Sequence, residues 1–413
     1  MGAVTDPRLC VLCRGARYLC GKAYCPIIAK FTAKQRVAEV STDLFGSSPP
    51  AVFVGRVGYP YVYAGPLVPN EVGDTSIYDL PESWAERPVD DVLSFRLGLF
   101  LGRRLVDVRN VSDRFVQELQ AVVLPLKPVD VEVRFAKKPT GFSFSEHEPP
   151  IGPRAPLESF RIVSLPSAPR AVERLYSDED ASASEAVIEL YQAGIPVSHI
   201  QKLLSVGALG RKRSRRLVPT RWAITAVDDA VSKYLIEEKI RWFQPLGEVQ
   251  VFVRSIHKNL FIAILLPGEW DFEWMEAWFP RSTWNPFGEA VVIEGDYELY
   301  RPRREYASIG GCYYVARLAT AEYLTRIRRK AIAVVLREIY PGFDIPIGVW
   351  FVREQLRAMY NQQPYRVSSL EEALKVVDRF SALGSKTWIE KSRIIRMLLT
   401  MRRLDEFIER GLR

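Results

Sequence analysis

The sequence predicts an α+β fold: mixed, mostly antiparallel sheets, flanking helices and a four-cysteine knuckle at the N-terminus. Three observations carry this expectation. Short runs rich in β-branched and aromatic residues are divided by Gly and Pro turns, as in AVFVGRVGYPYVYAG and GEVQVFVRSIHKNLFIAILL. Segments of helical period with capping residues fall between these runs without a strict strand–helix alternation. Four of the five cysteines crowd into LCVLCRGARYLCGKAYCP, residues 9–26.

The composition bounds the rest. A chain of 413 residues buries a sizeable core and, at roughly 150 residues per domain, makes two or three domains. Its 48% hydrophobic and 26% charged content is that of an ordinary globular protein and excludes wholesale disorder. The net charge of +8 permits a polyanionic partner without naming one. No apolar run reaches the length of a membrane span, and residues 260–266 read as a buried strand. Only three histidines occur, His147, His199 and His257, too scattered to favour a histidine-based triad or a histidine-rich catalytic metal site.

Taken in order, the cysteines come first. Cys10 and Cys13 are separated by two residues, so a tight turn brings both thiols to one ion. Cys20 and Cys25 close the tetrahedron from a second loop, with Gly15 and Gly21 where a knuckle needs positive φ. Four soft thiolates at this spacing point to a structural Zn²⁺ on Cys10, Cys13, Cys20 and Cys25. Four free thiols, a disulfide pair or an iron–sulfur cluster are the alternatives. The thiol cluster, with no signal peptide before it, fits the reducing cytoplasm.

A short helix is expected over residues 33–44, then two strands joined by a Gly-Tyr-Pro turn over residues 46–69. Gly55, Gly58 and Gly65 beside Arg56 read as turn glycines or as a place where phosphate approaches the backbone; Walker A and Rossmann spacings are absent. Helices are expected over residues 88–105 and 113–122, followed by strands in PVDVEVRFA and FSFSEH and a Pro-rich connection at residues 149–156. Two helices fill residues 182–205, with Gly194 ending the first and Ser198 and Gln201 forming a capping box for the second. The pair is an αα-hairpin or a helix-turn-helix.

The segment LGRKRSRRLVPTRWAITAVDD concentrates charge. Arg211, Lys212, Arg213, Arg215, Arg216 and Arg221 meet no carboxylate until Asp228. Such density needs solvent or phosphate opposite it, and Trp222 beside it can stack on a base. Asp228 and Asp229 are the carboxylates to test for a catalytic Mg²⁺ or Mn²⁺, with a helix cap near Ala230 as the plainer role. Strands follow over residues 247–266. In WDFEWMEAW, Trp270, Trp274 and Trp278 fall at i, i+4 and i+8, one continuous face of a helix, more fitted to packing than to bases because Asp271, Glu273 and Glu276 interleave. Gly310-Gly311 opens a long amphipathic helix with Cys312 as a small core residue; Glu322, Glu338 and Glu354 are carboxylates with basic neighbours. A basic amphipathic helix is expected over residues 386–399.

Several stretches carry a resemblance: LCVLCRGARYLCGKAYCP, SSPPAVFVGRVGYPYVYAGPLVP, LVPTRWAITAVDD, GGCYYVARLATAEYL and REIYPGFDIPIGVW. Together they resemble the archaeal Nre family of DNA repair proteins over almost the whole chain. The resemblance implies a zinc finger on the four cysteines and a C-terminal peptide that docks on the sliding clamp, PCNA. In MRRLDEFI, Leu404 fits the aliphatic plug and Phe407 the first aromatic, while Met401 stands where Gln is expected and Ile408 replaces the second aromatic. The organisation expected is a zinc knuckle and helix at 1–44, an Nre N-terminal-type region at 45–295, a C-terminal-type region at 296–400 and a docking tail at 401–413. The function expected is a DNA repair factor that binds damaged or branched DNA and is recruited by the clamp. A metal-dependent nuclease using Asp228 and Asp229 is the alternative, and a protein adaptor with a positive surface is a third.

Overall fold

The computed structural model describes residues 6–15, 17–22, 25–32, 41–301 and 303–400. They form two compact units that interleave along the chain. One holds Cys13–Tyr234 and Ile345–Gln355; the other holds Leu235–Asp344 with the described residues up to Leu12 and from Leu356 onward. The described residues have the expected α+β character, and each large sheet is mixed and mostly antiparallel.

Two short helices, α1 (Pro7–Cys13) and α2 (Pro26–Thr32), open the chain. The first unit is then built on six strands: β1 (Asp43–Ser48), β2 (Val52–Val54), β3 (Tyr61–Pro69), β4 (Leu99–Asp107), β5 (Val129–Phe135) and β6 (Arg154–Ser164), in the order β1-β5-β6-β4-β3-β2. Only β4 and β6 run parallel. Register follows the period of two: in β5, Val129, Val131, Val133 and Phe135 are buried while Glu132 and Arg134 face out. At the β3–β4 crossing a Cβ on Gly65 would lie 1.5 Å from the Gly102 carbonyl oxygen, so the close approach there requires glycine.

The helices of this unit are α3 (Val89–Leu97), α4 (Arg114–Val123), α5 (Arg170–Ser177), α6 (Ala183–Gln192), α7 (Val197–Ser205) and the first part of α8 (Thr220–Glu238). Asp113 caps α4 through the backbone N–H of Phe115 at 2.9 Å, and Ser182 with Glu185 forms a capping box on α6. Gly194, at φ +79°, ends α6 as expected.

Several local expectations are corrected. The helix over residues 88–105 stops at Leu97, because Leu99, Phe100 and Leu101 enter the sheet as β4. Of the helix over residues 33–44, residues 33–40 lie outside the described residues, and Asp43 and Leu44 belong to β1. The FSFSEH stretch makes only isolated bridges, Ser143 to Ile151 and Ser145 to Ile347. Ser198 and Gln201 form no capping box: Pro196 precedes α7, Ser198 Oγ donates to Glu82 at 2.7 Å and Gln201 donates to Asp228 at 3.0 Å. Asp228 and Asp229 cap nothing, since α8 has already begun at Thr220.

The return segment completes this unit. Trp350 packs edge-on against Trp84 at 4.8 Å, the backbone N–H of Val349 donates to the His147 carbonyl at 3.2 Å, and Gln355 donates to the Ala85 carbonyl at 2.8 Å. Arg353 donates to Asp228 at 3.0 Å with both side chains buried.

The second unit contains β7 (Gln244–Pro245), β8 (Val249–Ile256), β9 (Asn259–Leu266), β10 (Asp271–Trp278), β11 (Val292–Glu298), α9 (Gly311–Ile327), β12 (Arg329–Lys330), β13 (Ile332–Ile339), β14 (Tyr365–Val367), α11 (Leu370–Phe380), α12 (Gly384–Lys391) and α13 (Arg393–Thr400); α10 (Trp350–Met359) begins in the return segment. Its six-stranded sheet has the order β11-β10-β13-β9-β8-β14, with β10 and β13 parallel. One face buries Val251, Ile262, Ile264, Met275 and Leu336 against Val377, Trp388, Ile394 and Ile395 of α11–α13. On the other face, Phe272 meets Tyr313 of α9 at 5.2 Å and Phe252 meets Tyr323 at 5.1 Å.

The tryptophan stripe is not helical. Trp274 and Trp278 lie on β10 with Trp270 just before it, and all three are buried. A spacing of four suits both periods, and pairing with β11 and β13 selects the strand. The helix after Gly310 is buried almost all round rather than amphipathic, with Cys312 in the core. The helix over residues 386–399 is two helices parted at Ser392, where Glu273 accepts from the backbone N–H groups of Arg393 at 2.7 Å and Ile394 at 3.0 Å.

Candidate nucleic-acid interface

The first unit holds a cleft of about 670 Å³ whose charge is one-sided. Arg14, Arg56, Arg103, Arg154 and Arg221 line it, against the single carboxylate of Glu148, and Tyr18, Phe53, Tyr63, Phe142 and Phe144 supply aromatic wall. Each arginine arrives by a different route. Arg103 projects from β4 directly after Gly102, and Arg154 opens β6 beside it, with Leu101 and Arg154 in register. Arg221 comes from the first turn of α8, Arg56 from the turn after β2, and Arg14, at φ +48°, from the turn after α1.

The cations differ in how they are held. Arg14 pairs with Glu146 at 3.0 Å in a buried bridge, and Arg221 Nη2 lies 3.3 Å from His147 Nε2. Arg103 and Arg154 have no ion pair with a carboxylate among the described residues; Arg103 instead sits over the Tyr63 ring at 4.9 Å. Burial first, and then the Arg103 charge, lowers the pKa of Arg154. His147 is held well below its ordinary pKa, by burial first and then by Arg221, Arg14, Arg56 and Arg17. The imidazole therefore stays neutral inside a positive field. Arg103 and Arg154, like charges side by side, repel one another until an anion enters between them.

The basic segment is less free than its sequence implies. A segment distant in sequence folds against it: Lys212 pairs with the Glu179 carboxylate, and Arg211 donates to the Asp180 backbone carbonyl at 3.2 Å. Arg215 spends its guanidinium on carbonyls of Tyr176 at 2.8 Å, Asp178 at 2.6 Å and Gly210 at 2.6 Å, closing the end of α5. Arg213 and Arg216 are exposed and make no ion pair among the described residues. Trp222 is 45% exposed and packs on Tyr59 with ring centroids 5.2 Å apart. Of the run, only Arg221 lines the cleft. Arg56 was visible in the sequence beside its glycines. Arg14, Arg103 and Arg154 were not singled out, because isolated arginines on separate elements leave no linear signal.

Asp228 and Asp229 diverge on α8. Asp228 is fully buried on Arg353 and Gln201, whereas Asp229 bridges Lys233 one turn on at 2.8 Å. Glu322 pairs with Arg357 at 2.7 Å, Glu354 with Arg353 at 2.9 Å, and Glu338 accepts from Trp388 Nε1 at 3.2 Å. Among the described residues no three His, Cys, Asp or Glu side chains are gathered closely enough to hold a metal ion.

The cysteines are placed by turns of left-handed backbone. α1 carries Cys10 and Cys13 one turn apart, Gly15 and Gly21 have φ of +68° and +71°, and Cys25 stands just before α2. The Cys25 thiol is pushed up chiefly by burial, countered by backbone N–H groups of Ile28 and Ile27, and raised further by Cys13 and Cys20. Four thiols are a soft donor set of the kind a structural zinc takes, but among the described residues no three of them stand close enough to hold one ion. The clamp-docking residues Met401, Leu404, Phe407 and Ile408 lie outside the described residues. No described helix is long and apolar enough to cross a membrane.

Comparison with known proteins decides the family. The model for archaeal Nre, N-terminal, matches residues 19–285, and that for archaeal Nre, C-terminal, matches residues 298–407. The chain belongs to the archaeal Nre family. The Nre chain is 51% identical over 388 residues to the DNA repair protein NreB of Archaeoglobus fulgidus, covering 94% of this chain and 97% of that one. It is 35% identical to NreA of the same organism, over 92% and 95% of the two chains. It is 34% identical to NreA of Haloferax volcanii, over 82% and 83%. Both NreA proteins also bear the name DNA repair protein. No solved structure matches this Nre chain.

Proposed function

We propose that this protein is a DNA repair factor that holds DNA phosphate in the arginine-lined cleft of its first unit, and that the clamp recruits it through residues 401–408. The observation that carries the reading is the pair Arg103 and Arg154, two neighbouring guanidiniums without a carboxylate, at a cleft where five arginines face one glutamate. Phosphate is the anion of DNA that matches them, and counterion release makes such binding steeply salt-dependent. Arg213 and Arg216 extend the positive surface. Damaged or branched DNA is the substrate that the repair names of the relatives favour. A structural zinc on Cys10, Cys13, Cys20 and Cys25 belongs to the same reading, supported by the donor set and its turns. The nuclease alternative through Asp228 and Asp229 gains no such support, since the two carboxylates face different cationic partners.

The test is binding of labelled DNA across a range of salt concentrations. The double substitution Arg103→Ala with Arg154→Ala should weaken binding to every sequence and flatten the slope of log affinity against log salt by about two. An intact slope in that variant would place the DNA elsewhere. Ending the chain at Thr400 should abolish clamp binding and leave DNA affinity unchanged; metal analysis should return one zinc per chain.

A further inference from the structure

Outside the cleft proper, the most unusual surface of the first unit is a row of exposed aromatic side chains at its mouth. Tyr59, Tyr61 and Tyr63 alternate along the turn and β3 with the buried Val62, and are 43%, 52% and 49% exposed. Period-two spacing puts Tyr61 and Tyr63 on the same face, about 7 Å apart. Tyr63 and Arg56 line the cleft, Trp222 adjoins the lining residue Arg221, and Tyr59 packs against Trp222 at an interplanar angle of 52°. Cations are interleaved with the rings: Arg103 stands 4.9 Å from the Tyr63 ring centroid, and Arg109 stands 5.9 Å from that of Tyr61. Val57, at 81% exposed, projects from the same turn.

Folding does not explain this row. Large aromatic rings left in water forgo the burial that usually places them inside, and four gathered beside guanidiniums form one patch of mixed character. Duplex DNA offers such a patch only its phosphates, because its bases are stacked on each other. A single strand offers both parts: π-faces for the rings and phosphates for the arginines. The cleft, of about 670 Å³, has room for one or two unstacked nucleotides.

We infer that the row Trp222, Tyr59, Tyr61 and Tyr63 is a stacking track for single-stranded DNA that leads its phosphates to Arg103 and Arg154. The inference rests on the DNA-binding reading above and narrows it to unpaired strand, as found at a gap, a flap or an opened lesion. Bases stack on exposed rings, so the track tolerates any sequence. The arginines set the salt dependence, and the rings set the preference for single strand over duplex.

The experiment compares an oligothymidylate of about 15 nucleotides with a blunt duplex of equal length, in the full chain. The single strand should bind more tightly. Trp222→Ala together with Tyr61→Ala should weaken single-strand binding by at least tenfold, and leave duplex binding and the salt slope unchanged. Trp222→Phe with Tyr61→Phe should restore most of the loss, which a misfolded protein would not do. Equal binding of both DNAs, unaffected by the alanine pair, overturns the track and leaves phosphate binding standing. Absence of salt-dependent binding to either DNA overturns the DNA-binding reading, and the track with it.

Discussion

Two pairs of arginines, one in each unit, are treated in opposite ways. In the second, Arg337 and Arg317 are buried and matched: Arg337 donates to Glu276 at 3.0 Å and to Asn259 at 2.9 Å, and Arg317 meets Glu298 at 2.9 Å. In the first, Arg103 and Arg154 line the cleft together and pair with no carboxylate among the described residues. A buried cation survives only with its counterion, so the matched pairs are part of the fold. An unmatched cation at a cleft is kept solvated at some cost to its neighbours, and that cost is recovered when an anion arrives. Number of arginines is therefore a poor guide to function; the presence of a partner is the better one.

The comparison can be broken at several points. The largest effect should come from Glu276→Ala, which leaves Arg337 buried without its counterion and should lower stability by about 3–5 kcal/mol. Denaturant unfolding measures it, and a loss below about 1 kcal/mol would show that the buried pair contributes little. Next is Arg215→Ala, which strips the carbonyls of Leu175, Tyr176, Asp178 and Gly210 of a donor and should cost about 1–3 kcal/mol while leaving DNA affinity nearly intact. Its neighbours Arg213→Ala and Arg216→Ala should do the reverse, flattening the salt slope by about one each with melting temperature unchanged. If all three behave alike, the separation of structural from exposed cations in this segment fails.

The smallest effect concerns Asp271, whose carboxyl burial pushes up to about 6, with Glu269 adding a like charge. A carboxyl raised in the folded state keeps its proton more readily there than in the unfolded chain. Its contribution is therefore lost as pH rises from about 4 to about 6. Asp271→Asn should gain on the order of 1 kcal/mol above pH 6 and nothing below pH 4. Thermal melts at the two pH values decide it.

Much of the fold class was legible because it rests on local signals. The alternation in Val129–Phe135 and the cap at Asp113 need only neighbours a few residues away. The tryptophan stripe was misread because its spacing satisfies two periods, and only the pairing partners choose between them. The cleft was legible in part. Arg56 and Arg221 lay beside visible signals, whereas Arg14, Arg103 and Arg154 are united only by folding. The basic segment shows the converse: it looked devoid of counterions because Glu179 lies 33 residues from Lys212.

The segment Ile345–Gln355 has a consequence for how the molecule comes into being. Asp228, at the heart of the first unit, takes its cation from Arg353, 125 residues further along. A chain leaving the ribosome presents the carboxylate long before its guanidinium exists outside the exit tunnel. For that interval Asp228 lacks the guanidinium that faces it in the finished fold, and the first unit waits, incompletely closed, while β7–β13 are made. Translation thus holds the first unit open until most of the second sheet has been made.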